Sequence, residues 1–275
     1  MSARTKRPTV ADIRAKKARG ETLSMLFVET LDEAAAANAA GIDMLSIIDP
    51  LWTPEMRAAA GTCFVQVGLL YGQLCTGEDY LRAAHRVMGI GGDCVYCSAS
   101  LDIQKLLCDN GIPVVAHVGL IPSQCTWTGG FKAVGKTASS AISVWEHVQR
   151  LEAIGVFGAE LEVVPDRVAQ EISKRTSMIM LGMGAGPGAD AQYLFTEDLL
   201  GHTRGHKPRH AKTYRNFSAE FERLQAERIA AFGEFIADVA SGAYPAPDHI
   251  VPIADDEFDQ FMRRMGGEAD QTKIG

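Results

Sequence analysis

Residues 111–122 read Gly111-Ile-Pro-Val-Val-Ala-His117-Val-Gly-Leu-Ile-Pro122, a β-branched run that carries an imidazole to the end of a strand. A loop follows in which Gly119, Gly129, Gly130 and Gly135 accompany Lys132 and Lys136. In parallel α/β proteins chemistry sits where such strand ends meet such loops. Two later segments have the same form: residues 157–165 carry Glu160 and Glu162, and residues 178–187 carry Gly184-Ala185-Gly186 near their end. Strand ends with polar or glycine-rich terminations point to one shared site.

Outward from this stretch, strand-length apolar runs at 22–28, 43–48, 63–69, 93–97, 113–118, 158–163 and 177–182 alternate with helical patterns at 31–40, 54–60, 80–88, 103–110, 139–153 and 166–174. The repeated β-α unit implies a parallel sheet with right-handed crossovers. Seven or eight such units in about 250 residues suit a closed (β/α)₈ TIM-type barrel better than an open sheet. No Gly-x-Gly-x-x-Gly follows the first run, which argues against a dinucleotide fold. The expected organisation is an N-terminal arm or helix over 1–20, a barrel domain over 21–254 and a polar tail over 255–275 whose last residues are loose. The barrel domain includes a C-terminal helical extension at 218–241, with Phe221, Leu224, Ile229, Phe232 and Phe235 available for its buried face. The polar, basic segment 202–215 is expected to form a loop over the barrel mouth.

The 275 residues carry a formal net charge of -7, with 47% hydrophobic and 22% charged residues, the balance of a globular chain. Lys6, Arg7, Arg14, Lys16, Lys17 and Arg19 make the N-terminus locally basic and read as a solvated helix or arm, so a nucleic-acid partner is not expected. No apolar run is long enough to span a bilayer and no signal-peptide pattern follows Met1, so a cytoplasmic enzyme without a membrane partner is expected. Cys63, Cys75, Cys94, Cys97, Cys108 and Cys125 read as reduced thiols. Cys94-Val95-Tyr96-Cys97 has zinc-knuckle spacing but no second pair, and it falls in a strand.

These motifs resemble the ketopantoate hydroxymethyltransferase family, on the phosphoenolpyruvate mutase/isocitrate lyase-like barrel. The residues that carry the resemblance are the 111–122 stretch, Gly129-Gly-Phe-Lys-Ala-Val-Gly135, Leu161-Glu162-Val-Val-Pro165, and Gly182-Met-Gly-Ala-Gly-Pro-Gly-Ala-Asp190-Ala-Gln192. Lys212-Thr-Tyr214 and Gly242-Ala-Tyr-Pro245 with His249 fit its C-terminal pattern. The N-terminal half departs from it. Gly41-Ile-Asp-Met-Leu45 aligns, and Asp49 keeps one metal-binding position, but Pro50 replaces a substrate-binding serine. The second metal aspartate falls near Val67, the substrate lysine becomes Tyr96, and the metal-linked glutamate becomes Ser98.

The resemblance implies an enzyme that moves a one-carbon unit from 5,10-methylenetetrahydrofolate to 3-methyl-2-oxobutanoate, giving 2-dehydropantoate for pantothenate synthesis. It gives Glu162 the acid/base role, and a carboxylate ending an apolar strand is expected to have a raised pKa. Glu160 shares its strand face by periodicity, and only the motif favours Glu162. His117 is expected to polarise the oxo acid. Tyr96, Ser98, Lys132, Gly184 and Gly186 are the candidate substrate-binding residues. Mg²⁺ is the implied metal, with Asp49 as its ligand and Glu29 or Glu78 as replacements for a lost one. Family members form homo-oligomers. The alternatives are another aldolase, lyase or hydrolase of a 2-oxo acid, or a catalytically silent metabolite-binding paralogue, because fold alone does not decide chemistry.

Overall fold

In a computed structural model, which describes residues 7–266, the apolar runs become eight parallel strands that close on themselves in sequence order. Helix α1 (Val10–Ala18) comes first, opened by a reciprocal cap between Thr9 and Asp12. Then follow β1 (Leu23–Phe27), α2 (Leu31–Ala40), β2 (Met44–Ile48), α3 (Pro54–Ala59), β3 (Phe64–Gly68), α4 (Gly77–Ile90), β4 (Cys94–Tyr96), α5 (Leu101–Asp109) and β5 (Val114–Gly119). The short α6 (Cys125–Thr128) lies in the loop after β5, and α7 (Ala138–Ala153), β6 (Gly158–Glu162), α8 (Asp166–Arg175), β7 (Ile179–Met183), β8 (Ala191–Phe195) and α9 (Thr196–Leu200) complete the barrel.

The expected (β/α)₈ barrel is therefore what forms. Each sequence-derived strand lies within two residues of its place, and the eighth, β8, follows the glycine-rich turn after β7. It escapes a pattern reading because Gln192 and Phe195 are exposed on it, so it is not a continuous buried apolar run.

Strand alternation divides the core in two. Outward-facing Val65, Val67, Val95, Val114, Ala116, Ala159 and Leu161 pack with helix residues such as Ala84, Leu107 and Val148. Inward-facing Met25, Met44, Phe64, Cys94, Val115, Ile179 and Leu181 fill the lower barrel together with Ile13 of α1. Lys16 pairs with Asp43 just before β2, and Lys17 with Asp190 just before β8, so α1 is fastened across the N-terminal ends of the strands. That leaves the opposite end, where the strands terminate, for chemistry.

The chain divides into two units at Asn216/Phe217. The second contains α10 (Phe217–Ser241) and α11 (Asp255–Met265). Phe235 and Tyr244 stack at 5.4 Å, and Tyr244 and His249 at 5.3 Å. Phe221, Leu224, Ile229, Phe232 and Phe235 are exposed rather than forming a buried face. The segment expected to be a polar tail is helical through Met265, with acidic residues in its first turn and Arg263 and Arg264 in its last, a distribution that suits the helix dipole. The expected looseness of the last residues lies outside the described residues. None of the described helices is long and apolar enough to cross a membrane.

Candidate active site

Above the apolar layers the barrel interior turns polar. Ser46 and Gln66 are register partners on β2 and β3, and Gln66 Nε2 donates to Ser46 Oγ at 3.2 Å. The same nitrogen donates to Glu160 Oε1 across the barrel at 2.7 Å. His117 on β5 faces Glu160 on β6 in register, and Gly119 faces Glu162, so one imidazole and two carboxylates end up on one face of adjacent strands.

His117 sits between the two carboxylates. Its Nε2 lies 3.1 Å from Glu162 Oε2, off the line of a hydrogen bond, and its Nδ1 lies 3.4 Å from Glu160 Oε2. The Tyr96 hydroxyl is 2.8 Å from Nδ1. With a carboxylate facing Nε2, the proton is assigned to that nitrogen, and Nδ1 accepts from Tyr96. Burial pushes the Tyr96 phenol far above its ordinary range, so it remains a donor. Burial also lifts the Glu160 carboxyl to about 7, although His117 and Gln66 favour its ionised form.

The end of β6 is fixed by backbone crowding. Gly119 has φ +88, and a Cβ there would come 2.4 Å from the Glu162 carbonyl oxygen. This close approach lets Leu120 N–H donate to that oxygen at 2.9 Å. Val163, directly after Glu162, has φ 49, a conformation costly for a β-branched residue. It is held by its N–H to Met183 O at 2.8 Å and by Val134 N–H to its carbonyl at 3.1 Å.

These groups line a cavity of about 300 Å³ at the barrel mouth, where Tyr96, Ser98, His117, Glu160 and Glu162 meet Phe27, Met183 and Tyr193. Four of the sequence-predicted residues, Glu162, His117, Tyr96 and Ser98, are thus brought together. The others stand apart from it. Lys132 is in the loop after α6 and does not line the cavity. Gly184 and Gly186 serve packing: a Cβ would lie 2.8 Å from His210 Nδ1 at the first and 2.5 Å from Asp166 Cβ at the second. The 202–215 segment, which carries His210, contributes no residue to this cavity. Gln66, Ser46 and Tyr193 were not singled out from the sequence. Gln66 had a readable signal, since it alternates with Phe64 and is the polar member of an apolar strand.

The implied metal can be tested against these donors. Mg²⁺ needs several oxygen ligands converging on one point. Asp49 instead pairs with Arg86 and does not line the cavity. Glu78 is exposed and pairs with Arg82, and Glu29 lies outside the cavity. Val67 packs toward the helices, and Ser98 offers no anionic ligand. Glu160 and Glu162 face opposite nitrogens of one imidazole, and among the described residues no three His, Cys, Asp or Glu side chains gather into a metal site. The donor set does not fit Mg²⁺.

The family profile described as ketopantoate hydroxymethyltransferase matches residues 52–247. The chain is 31% identical over 285 residues to 3-methyl-2-oxobutanoate hydroxymethyltransferase 1 of Methylibium petroleiphilum, covering 94% of this chain and 93% of that protein. It is 32% identical over 267 residues to 3-methyl-2-oxobutanoate hydroxymethyltransferase of Thermus thermophilus, covering 88% of this chain and 99% of that one. Among solved structures, a candidate phosphonomutase of Burkholderia cenocepacia superposes with a TM-score of 0.52 at 11% identity, covering 82% of this chain and 99% of that one, a likeness of fold alone.

Proposed function

This chain belongs to the ketopantoate hydroxymethyltransferase family, and we propose that its barrel adds a hydroxymethyl group to 3-methyl-2-oxobutanoate, with 5,10-methylenetetrahydrofolate as the one-carbon donor. The observation that carries this reading is the placement of His117 between Glu160 and Glu162 beside the Tyr96 hydroxyl, at the catalytic end of the barrel.

The reaction needs a base for the C3 proton of the oxo acid, donors for the charge that moves onto the oxo oxygen, and a carbon electrophile. Glu162 suits the base, because it lines the cavity and keeps more exposure than the buried Glu160. The proton passes from C3 to Glu162, and the electron pair of the C–H bond moves through C2 toward the oxo oxygen. The His117 Nε2–H, which makes no hydrogen bond among the described residues, lies beside the cavity as the donor for that oxygen, while Tyr96 O–H holds Nδ1 as an acceptor. A pre-placed donor at a developing oxyanion is worth on the order of 3 kcal/mol of barrier. The enolate carbon would then bond to the donor's methylene carbon as one C–N bond of that methylene breaks, and water would replace the second C–N bond, leaving its hydroxyl on the carbon. The two nitrogens would take up the proton from water and the one removed from C3, giving tetrahydrofolate.

Glu160 acts through His117: held by Gln66 Nε2 at 2.7 Å, its carboxyl lies 3.4 Å from Nδ1 and helps to position the imidazole. The protein is placed in the cytoplasm, as an assembly of identical subunits, by the same reading. The closure of Asp49 onto Arg86 favours a second reading, an aldol or lyase enzyme for a different 2-oxo acid.

The test is deuterium exchange at C3 of 3-methyl-2-oxobutanoate in D₂O, followed by NMR with and without Mg²⁺. Exchange that disappears in Glu162→Gln supports the assignment. Absence of exchange in the wild type under both conditions overturns it.

A further inference from the structure

A second cavity, of about 390 Å³, lies outside the barrel wall where α5 and α7 flank the ends of β4 and β5. It shares Ser98 and His117 with the mouth cavity, so the two spaces meet at the proposed reaction centre. Its size is that of a small-molecule site.

The polar groups in it are unfinished. Gln104 on α5 is 3% exposed, and its Nε2 donates to the Ala99 carbonyl at 2.8 Å. Its Oε1, also buried, has no partner among the described residues. A buried acceptor left unpaired costs on the order of 1–3 kcal/mol, and an N–H from a ligand removes that cost. Across the cavity Ser143, His147 and Arg150 fall on one face of α7, Arg150 about 10 Å further along the helix than Ser143. Arg150 is exposed and has no ion-pair or hydrogen-bond partner among the described residues. His147 is half-buried, and burial lowers its pKa, so it presents a neutral aromatic ring. Leu101, Ile121, Val134 and Val144 supply apolar walls.

The complementary ligand is elongated. It carries N–H donors on a planar heterocycle, a ring that can lie against His147, and an anionic end. We propose that this cavity is the docking site of the one-carbon donor, a reduced folate whose heterocycle donates to Gln104 Oε1 and whose tail carboxylate pairs with Arg150. This assignment rests on the hydroxymethyl-transfer reading. It places the transferable carbon beside the wall formed by His117 and Ser98, where the enolate arises.

Titration calorimetry with 5-formyltetrahydrofolate, a stable reduced folate, tests it on the full chain. Wild type is expected to bind, and the affinity is expected to fall with added salt. Arg150→Ala, at an exposed position, is expected to weaken binding about tenfold and to flatten the salt dependence, with Arg150→Lys in between. Gln104→Leu is expected to weaken binding as well. Wild-type affinity in both Arg150→Ala and Gln104→Leu overturns the assignment, as does a wild type that does not bind the probe. Wild-type C3 exchange, which needs no folate, separates the two readings. Exchange without folate binding removes only this site, whereas no exchange removes the oxo-acid reading beneath it.

Discussion

Tyr96 and His117 form a pair whose hydroxyl and Nδ1 are 2.8 Å apart, with ring centroids 5.9 Å apart and near edge-on. Gly68 and Val115, the register partners of Tyr96 on the two flanking strands, hold the phenol at the height of the imidazole. In the family pattern this position is a lysine. A neutral phenol there takes away a charge but gains a donor that fixes which ring nitrogen of His117 carries the proton.

Removing that hydroxyl should therefore affect chemistry far more than folding. Tyr96→Phe keeps the ring in place and loses one hydrogen bond, a net cost of about 1 kcal/mol. The rate of C3 exchange is expected to fall roughly 100-fold, the low end of the range for a positioned acid or base group. NMR exchange rates beside thermal unfolding curves check this. A variant that exchanges at the wild-type rate would show that Tyr96 only fills space.

Glu160 imposes a pH signature on stability. Burial raises its pKa from 4.5 to about 7 in the folded chain. A carboxyl whose folded pKa is raised binds its proton more tightly in the native state. Its stabilising contribution is complete below pH 4.5 and is lost as pH climbs through about 7. Glu160→Gln cannot ionise, so its unfolding midpoint relative to wild type should shift upward between pH 5 and pH 8. Urea unfolding at several pH values reads this difference directly. A difference that stays flat across the window would mean that Glu160 remains ionised throughout.

The barrel was legible because buried parallel strands write themselves as apolar runs, and helices between them as periodic ones. His117 and Glu162 were legible for the same reason: each is a polar residue closing an apolar run. Gln66 was harder, because the family pattern drew attention to neighbouring Val67, while strand parity turns Val67 toward the helices and Gln66 into the barrel. Gly184 and Gly186 show the opposite problem. A glycine in sequence does not say whether a ligand or a neighbouring side chain fills the space, and here His210 and Asp166 fill it. Asp49 kept its position in the motif, but its partner, Arg86, lies 37 residues away on α4, beyond the reach of local pattern.

That ion pair makes a prediction of its own. Asp49 and Arg86 are partly exposed, with side chains 20% and 46% accessible, so the pair is screened and worth at most about 1 kcal/mol. Asp49→Asn should leave the C3 exchange rate within about twofold of wild type and should not alter its response to Mg²⁺, since a hydrated metal with so few anionic ligands binds weakly. A metal titration of exchange in both proteins is the measurement. Loss of exchange in Asp49→Asn that Mg²⁺ restores would show that the carboxylate swings away from Arg86 to serve a metal.

Val163 carries strain immediately beside Glu162. A β-branched residue at φ 49 costs on the order of 1–3 kcal/mol, and glycine at that position releases the cost while adding about 0.5–1 kcal/mol of unfolded-state entropy. Val163→Gly should therefore be as stable as wild type or more stable by about 1 kcal/mol in denaturant unfolding. It should also catalyse C3 exchange several-fold more slowly, because the Glu162 carboxylate is aimed by a backbone that the variant loosens. The two readouts move in opposite directions only if the strained conformation serves the site. A variant that is both less stable and fully active would mean that Val163 contributes packing and that Glu162 is positioned by Gly119 and the β5–β6 register alone.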